Sequence, residues 1–304
     1  MIVFHPPYPT RTMILVTGAT GHYGAKAIEH LLKKGVGAQQ MAALVRDVAK
    51  GQHLQDQGIE LRLGDYTDVD SLGKAFQGVD TLLLVSSSDR GAVENRTAHH
   101  RNVITAAKAA QVKHLVYTSF VTKPAFQDSA IAGFLTSHTQ TEQFLQASGL
   151  TYTILQHGIY LEMIPIFAGA HVAETGVLLF PAQDGKASWV LREELAEAAA
   201  HVLTTPGHEN QTYVLANTEA TSFHDIAGGL SGRLGQDIRY QSPPVEEFET
   251  ILQQGGVPQV YIGMFTQWAR AVAQGMLDVQ DATLAAFLGR EPTTTAQFLQ
   301  HVYK

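Results

Sequence analysis

The chain has 304 residues, 45% of them hydrophobic, which is enough for one large α/β domain or two unequal ones with a full core. A formal net charge of −7 without any lysine/arginine block argues against nucleic acid or an anionic membrane as the main partner. With 0 cysteines, disulfides, thiolate nucleophiles and cysteine-based zinc sites are excluded.

Residues 1–12 carry Pro6, Pro7 and Pro9 and read as a disordered leader, with Met13 a candidate true start. No basic-then-apolar signal pattern stands there and no apolar run reaches the ~18 residues of a membrane span, so the expected location is the cytoplasm. Met13 to Gly24 reads MILVTGATGHYG: Ile14-Leu15-Val16 suits a buried strand, and Gly18, Gly21 and Gly24 then follow at G-x-x-G-x-x-G spacing. Small residues there let the backbone turn sharply, approach a pyrophosphate and pack the next helix tightly. Ala25 to Lys34 continues as that helix with Ile28, Leu31 and Leu32 on one face, so the N–H groups at its start are placed to hold phosphates.

The next strand, Met41 to Val45, ends at Arg46 rather than at an acidic residue. An Asp or Glu at this place holds a free ribose 2′-hydroxyl, whereas an Arg suits a 2′-phosphate, so the expected cofactor is NADP(H), with Lys50 a second positive charge on the following helix. Further strands are expected at 59–63, 79–85, 114–118 and 152–155, separated by helices at 47–57, 68–76, 93–110 and 137–147. That alternation predicts an α/β fold, a doubly wound parallel Rossmann sheet. After about Gly158 helices at 191–203 and 223–234 mix with short strands around 177–180, 212–215 and 238–241, which reads as a smaller, mostly helical C-terminal lobe. The expected domains are therefore 13–157 for NADP binding and 158–304 for substrate, with some later elements returning to the Rossmann core and a substrate cleft outside the strand tips.

Four strand tips carry polar or flexible groups: Gly64-Asp65-Tyr66, Ser86-Ser87-Ser88, Thr118-Ser119-Phe120 and Gln156-His157-Gly158-Ile159-Tyr160. Asp65 is a candidate acceptor for an adenine amino group, and the small hydroxyls of Ser86 and Ser87 let a ribose and pyrophosphate lie close; both residue types also serve ordinary turns. Of the 14 histidines, His99 and His100 are adjacent and so point to different helix faces, and no H-E-x-x-H occurs, so no metal is expected.

From Met13 onward the chain resembles the NmrA-like branch of the atypical short-chain dehydrogenase/reductases, particularly bacterial NADPH:quinone oxidoreductases and triphenylmethane-dye reductases. The resemblance rests on TGATGHYG at 17–24, LVRDVAK at 44–50, GDY at 64–66, SSS at 86–88, HRNVITAAKAAQVKHLVYTS at 100–119, HTQTEQFL at 138–145, YTILQHGIY at 152–160 and GHENQTYVL at 207–215. It implies that the turn with Gly18, Thr20, Gly21, His22, Tyr23 and Gly24 holds the pyrophosphate. It likewise assigns Arg46 to the 2′-phosphate, Ser86 and Ser87 to the middle of the cofactor, and the Gly158 segment to the nicotinamide side. Family members often carry Arg-Asn before that glycine; Gln156 and His157 stand here instead.

Typical short-chain dehydrogenases use Tyr-x-x-x-Lys, a phenol that donates a proton beside an ammonium that lowers its pKa. In Phe134-Leu135-Thr136-Ser137-His138, Phe replaces the tyrosine and His the lysine, and Tyr117 is followed at the fourth position by Val121. The expectation is hydride transfer to a quinone or similar flat acceptor that tolerates the loss of a dedicated acid, with His138 or Tyr160 as candidate proton donors. Phe134 and Tyr160 are the expected substrate contacts among the scattered aromatics Phe126, Phe134, Tyr160, Phe167, Trp189 and Phe265. Two other readings fit the same residues: a non-enzymatic NADP-binding redox sensor of the NmrA type, and a reductase of a dye or imine-like acceptor.

Overall fold

The computed structural model describes residues 12–87, 92–169 and 171–303; the leader reading for residues 1–11 and the third serine of the triplet, Ser88, lie outside the described residues. The alternating segments form β1 (Ile14–Val16), α1 (His22–Lys33), β2 (Met41–Val45), α2 (Val48–Gln55), β3 (Glu60–Leu63), α3 (Val69–Ala75), β4 (Thr81–Leu84), α4 (Ala92–Ala109), β5 (His114–Phe120), α5 (Ala132–Ala147) and β6 (Thr151–His157). They are followed by α6 (Ile164–Ala168), α7 (Val172–Thr175), β7 (Val177–Leu179), β8 (Lys186–Ala187), α8 (Arg192–Thr204), β9 (Gln211–Leu215), β10 (Thr221–Ser222), α9 (Phe223–Leu234) and β11 (Arg239–Gln241). The chain closes with α10 (Val245–Gln254), α11 (Gln259–Ala273), α12 (Thr283–Leu288) and α13 (Thr295–Val302).

The central sheet has 7 strands in the order β3-β2-β1-β4-β5-β6-β9. The ladders of β1 with β2 and β4, of β2 with β3 and of β4 with β5 are parallel, and Leu15 pairs with both Ala42 and Leu82. Such strands read as continuous apolar runs because helices cover both faces, and β1 and β2 are buried along their whole length. The order reverses between β1 and β4, so the turn after β1 and the tip of β4 open side by side, the place where doubly wound sheets take their ligands.

Strands β5 and β6 and helix α5 run further than the sequence pattern suggests. Strand β5 reaches Phe120 and β6 reaches His157, with the Val121 N–H donating to the His157 carbonyl at 3.0 Å, so Ser119 and His157 are strand residues rather than loop. Helix α5 begins at Ala132 instead of 137, because buried Ile131 and Leu135 stand four apart on one apolar face and carry the helix back by a turn; His138 therefore sits within the helix rather than at its start.

The chain forms two compact units. The first comprises the described residues up to Ser119 together with Ser137–Leu155 and Ala196–Tyr213, and its core gathers Leu15, Leu72, Phe76, Leu82, Leu84, Tyr117 and Ile154. The second comprises Phe120–Thr136, Gln156–Leu195 and the described residues from Val214 onward. Its core is aromatic: Phe167 stacks on Phe180 at 4.8 Å, and Phe180 also meets Phe223 at 4.6 Å. Phe167 and Trp189, which the sequence offered as slot residues, are buried in this core, with Phe126 and Phe265 packed against it. The sequence reading placed a boundary after residue 157 with some later elements returning to the Rossmann core; here Ala196–Tyr213 belongs to the first unit and Phe120–Thr136 to the second. Among the described residues no helix is long and apolar enough to cross a membrane.

Candidate functional site

The glycine turn is a matter of backbone geometry. Gly18 has φ +57°, a left-handed conformation that side chains disfavour, and the Gly21 N–H donates to its carbonyl at 2.9 Å. At Gly24 a Cβ would stand 2.3 Å from the Gly18 carbonyl oxygen and 2.9 Å from Ala19 Cα, so only glycine lets α1 press onto the turn. Gly21, by contrast, is exposed, and a Cβ there would meet nothing nearer than 3.3 Å. Helix α1 has no side-chain cap and no acidic residue in its first turn, whereas α2, α3, α9 and α13 are capped by Asp47, Asp68, Ser222 and Thr294. The start of α1 thus presents main-chain N–H groups and the positive end of its dipole to an external acceptor. Thr20 and His22 are exposed beside it, while Tyr23 is buried, so Tyr23 offers the turn its backbone rather than its ring.

Across the switch point, the main chain of Ser86 and Ser87 is held through both N–H groups and the Ser87 carbonyl. The Ser86 N–H donates to Thr118 Oγ1 at 2.8 Å, and the Ser87 N–H donates to His100 Nε2 at 3.2 Å. The Ser87 carbonyl accepts from both Nε and Nη2 of Arg96, at 3.2 and 3.1 Å. Arg96 itself is buried, and its Nη1 donates to Ser137 Oγ at 2.8 Å. Burial, followed by the Arg96 charge, pushes the His100 pKa down to about 3, so its ring is neutral. Since Nε2 accepts, Nδ1 carries the proton and donates to Thr141 Oγ1 at 3.1 Å, which in turn donates to the Ser137 carbonyl at 2.8 Å. With the backbone held in this way, the hydroxyls of Ser86 and Ser87 are buried and have no hydrogen-bond partner among the described residues. Buried polar atoms are rarely left unpaired. Two of them side by side at the switch point fit the ribose and pyrophosphate of a dinucleotide, and so does the uncapped turn opposite.

Arg46 follows β2 directly and is exposed, as is Lys50 on α2. The Thr67 main-chain N–H, at 2.8 Å from Oδ1, holds the Asp65 carboxyl below its ordinary range with help from the nearby Arg46 charge. Asp65 also accepts from Thr67 Oγ1 at 2.7 Å, so much of one carboxylate oxygen is used locally. Tyr66 places its hydroxyl 2.8 Å from the Val85 carbonyl, bracing the end of β4.

The acceptor-side candidates fall in different surroundings. His138 is buried in the first unit, its Nδ1 2.8 Å from the hydroxyl of Tyr117, whose pKa burial raises. Phe134 lies one turn earlier on α5 and packs edge-on against Phe120 at 5.1 Å and Trp268 at 5.4 Å within the second unit. Gly158 is buried, its N–H donates to the Leu215 carbonyl at 2.9 Å, and a Cβ there would come within 3.0 Å of the Ser188 carbonyl. Its glycine identity thus has a packing cause. Tyr160 is half-buried, with its hydroxyl 3.4 Å from Nδ1 of His157 and the Arg192 guanidinium 4.7 Å above its ring. Burial pushes the His157 pKa down to about 3, so it too is neutral.

A profile of the NmrA-like family matches residues 10–299. The chain belongs to the NmrA-like family. Quinone oxidoreductase 2 of Escherichia coli is 38% identical over 96% of this chain and 99% of its own length, and NAD(P)H azoreductase of Xenophilus azovorans is 31% identical over 94% and 96%. Among solved structures, the triphenylmethane reductase of Citrobacter sp. complexed with NADP(H) superposes with a TM-score of 0.88 at 34% identity, covering 94% of this chain and 99% of that one.

In this NmrA-like chain, reading the sequence missed Arg96, His100, Ser137 and Thr141. A signal was present: Arg96 and His100 stand four apart on α4, and Ser137 and Thr141 four apart on α5, which puts each pair on one helix face. Gly24→Ala is expected to destabilise the fold by ~1–3 kcal/mol through overpacking against backbone that does not yield. Gly21→Val is expected to keep the melting temperature near wild type and abolish NADPH binding by occupying the phosphate space; thermal melts and cofactor titrations of the two variants check this pair. A second expectation concerns pH. His100 and His157 have folded pKa values below that of an unfolded histidine, so the unfolded chain binds more protons between pH ~6.5 and ~3 and stability falls as pH drops through that window. The melting temperature is expected to be lower at pH 5 than at pH 7.5; equal values would contradict neutral buried imidazoles.

Proposed function

We propose that this chain is an NADPH-dependent reductase that transfers hydride to a quinone or similar flat acceptor. The observation that carries the reading is the pair of buried hydroxyls of Ser86 and Ser87, unpartnered among the described residues, beside an uncapped glycine turn, in a chain 38% identical to a quinone oxidoreductase. Relatives named as a quinone oxidoreductase and an azoreductase favour an enzyme over a redox sensor.

In this reading the backbone of Gly18, Thr20, Gly21, His22, Tyr23 and Gly24 binds the pyrophosphate, Ser86 and Ser87 donate to the middle of the cofactor, and Asp65 meets the adenine. Arg46, with Lys50, pairs with the 2′-phosphate, which a planar guanidinium matches bidentately. Gly158, at the carboxyl end of β6, is assigned to the nicotinamide side, and Tyr160 and Phe134 to the acceptor. Bound there, NADPH supplies the hydride; the chain's part is to orient two flat rings at contact distance and keep water out. With Phe134 and His138 in the places of tyrosine and lysine, no residue has the usual acid's role. His138 is buried against Tyr117, which suits orientation more than proton supply.

The deciding assay follows NADPH absorbance with a panel of quinones and dyes, with NADH in parallel. Oxidation with quinones is expected; tight NADPH binding with no oxidation by any acceptor would favour the sensor. Arg46→Ala is expected to weaken NADPH binding by about ten- to a hundredfold, the range for one lost charge-assisted hydrogen bond, and to leave NADH binding nearly unchanged. Equal losses for both cofactors would remove Arg46 from the 2′-phosphate. His138→Phe is expected to lower kcat by less than about tenfold, well short of the ~10²–10⁴ of a general acid. A hundredfold drop, with loss of a wild-type inflection near neutral pH, would make His138 the proton donor.

A further inference from the structure

Unpartnered polar atoms also gather around Gly158 in the second unit. Residues 188–191 run extended beside the Gly158–Leu161 turn: the Val190 N–H donates to the Ile159 carbonyl and the Leu161 N–H to the Val190 carbonyl, both at 2.9 Å. Val190 points at Gly158, where a Cβ would stand 3.4 Å from its Cγ2, and Trp189 on the opposite face enters the core. Ser188 Oγ and Arg192 Nε are both buried and have no hydrogen-bond partner among the described residues. Among the described residues the Arg192 side chain makes no ion pair; its guanidinium lies on the Tyr160 ring at 4.7 Å. Glu162, the carboxylate beside it, accepts instead from the Arg192 main-chain N–H at 3.1 Å. A cationic donor stacked on an aromatic ring with a buried N–H unmet is arranged to receive an oxygen from outside the protein.

We propose that Arg192, seated on Tyr160, is a catalytic residue that donates to the acceptor oxygen on which negative charge develops. The inference rests on the reductase reading above. The step balances as follows: a hydride, two electrons with one proton, leaves the dihydronicotinamide, which becomes NADP⁺, and reduces the quinone to the hydroquinone monoanion. Water then supplies the second proton to that oxygen. A guanidinium stays charged at every working pH and has no proton to give, so Arg192 stabilises the anion instead of protonating it. This accounts for a reductase that lacks the tyrosine–lysine pair. It also sets a preference: neutral quinones, which become anionic, gain from Arg192, whereas a cationic triphenylmethane dye, which hydride neutralises, gains nothing.

The test compares wild type with Arg192→Met and Arg192→Lys on a neutral naphthoquinone and on a cationic triphenylmethane dye. It adds two binding measurements: NADPH affinity by fluorescence, and affinity of the 2-hydroxy-1,4-naphthoquinone anion for the NADP⁺-bound protein by absorbance. Arg192→Met is expected to lose about a hundredfold or more in quinone kcat, the range for removing one oxyanion donor, with dye turnover equal or faster, NADPH affinity unchanged and the hydroxyquinone anion bound at least tenfold more weakly. Arg192→Lys is expected to recover only part, because an ammonium keeps the charge and loses the planar fork. Quinone turnover within threefold of wild type, or a parallel fall in quinone rate, dye rate and NADPH affinity, would overturn the assignment. Wild-type protein that binds NADPH yet fails to oxidise it with any of these acceptors would instead overturn the reductase reading itself, and this inference with it.

Discussion

The approach of Gly24 to the Gly18 carbonyl sets the geometry on which the rest of the cofactor side depends. With 2.3 Å between that oxygen and the position of an absent Cβ, helix α1 is fixed against a turn that follows a three-residue strand. Its N-terminal N–H groups then lie beside the end of β4 because the sheet order reverses there. Any larger residue at position 24 would lift the helix and move those donors away from the switch point. The specificity of the motif is therefore less about flexibility than about how near two stretches of backbone come.

The opposite wall works by a different physics. Arg96 and His100, both buried, spend their polar atoms on the main chain of Ser87 and on Ser137 and Thr141 of α5. Burying a cation is costly unless its donors are satisfied, and here the satisfied donors are those that fix the serine main chain. Because His100 is neutral, one nitrogen accepts while the other donates, which a protonated ring cannot do. The outcome is a rigid backbone carrying two side-chain hydroxyls with no hydrogen-bond partner among the described residues. Preorganised donors of this kind lose little freedom when a ligand arrives.

The second unit relies on aromatic packing and on one buried carboxylate. Glu194, on the first turn of α8, accepts from the main-chain N–H of Thr293 at 2.9 Å and from its hydroxyl at 2.9 Å, tying the segment before α13 to that helix. Gly185 lies so close to the Val272 carbonyl that a Cβ would stand 2.2 Å away, which brings β8 against α11. Within this frame the turn after β6 is held by main-chain bonds to Val190, and the Arg192 guanidinium of α8 lies over the ring of Tyr160 from that turn. Chemistry that needs no dedicated acid is consistent with a site whose cation has no proton to lend.

Local pattern determined the doubly wound core: apolar runs of strand length, helical stripes between them, the glycine spacing and Arg46 at the end of β2 are all short-range signals that parallel sheets impose on sequence. Family-wide blocks of residues carried the cofactor and reductase expectations as far as they go. The additional turn of α5, by contrast, came from apolar contacts of Ile131 and Leu135 that no window of propensity reports, and the passage of 196–213 into the first unit reflects packing partners distant in sequence, such as Thr153 with His208, 55 residues apart. The clamp on Ser87 needed two helices brought together, and Arg192 reached Tyr160 only because residues 188–191 pair with the turn after β6. Sequence by itself fixes what each segment prefers and which face it buries, since those preferences are set by neighbours three or four residues off. Which buried polar atoms find partners, and which remain open to a ligand, is decided only when distant segments meet, because a hydrogen bond depends on the distance and angle between groups the chain order does not relate.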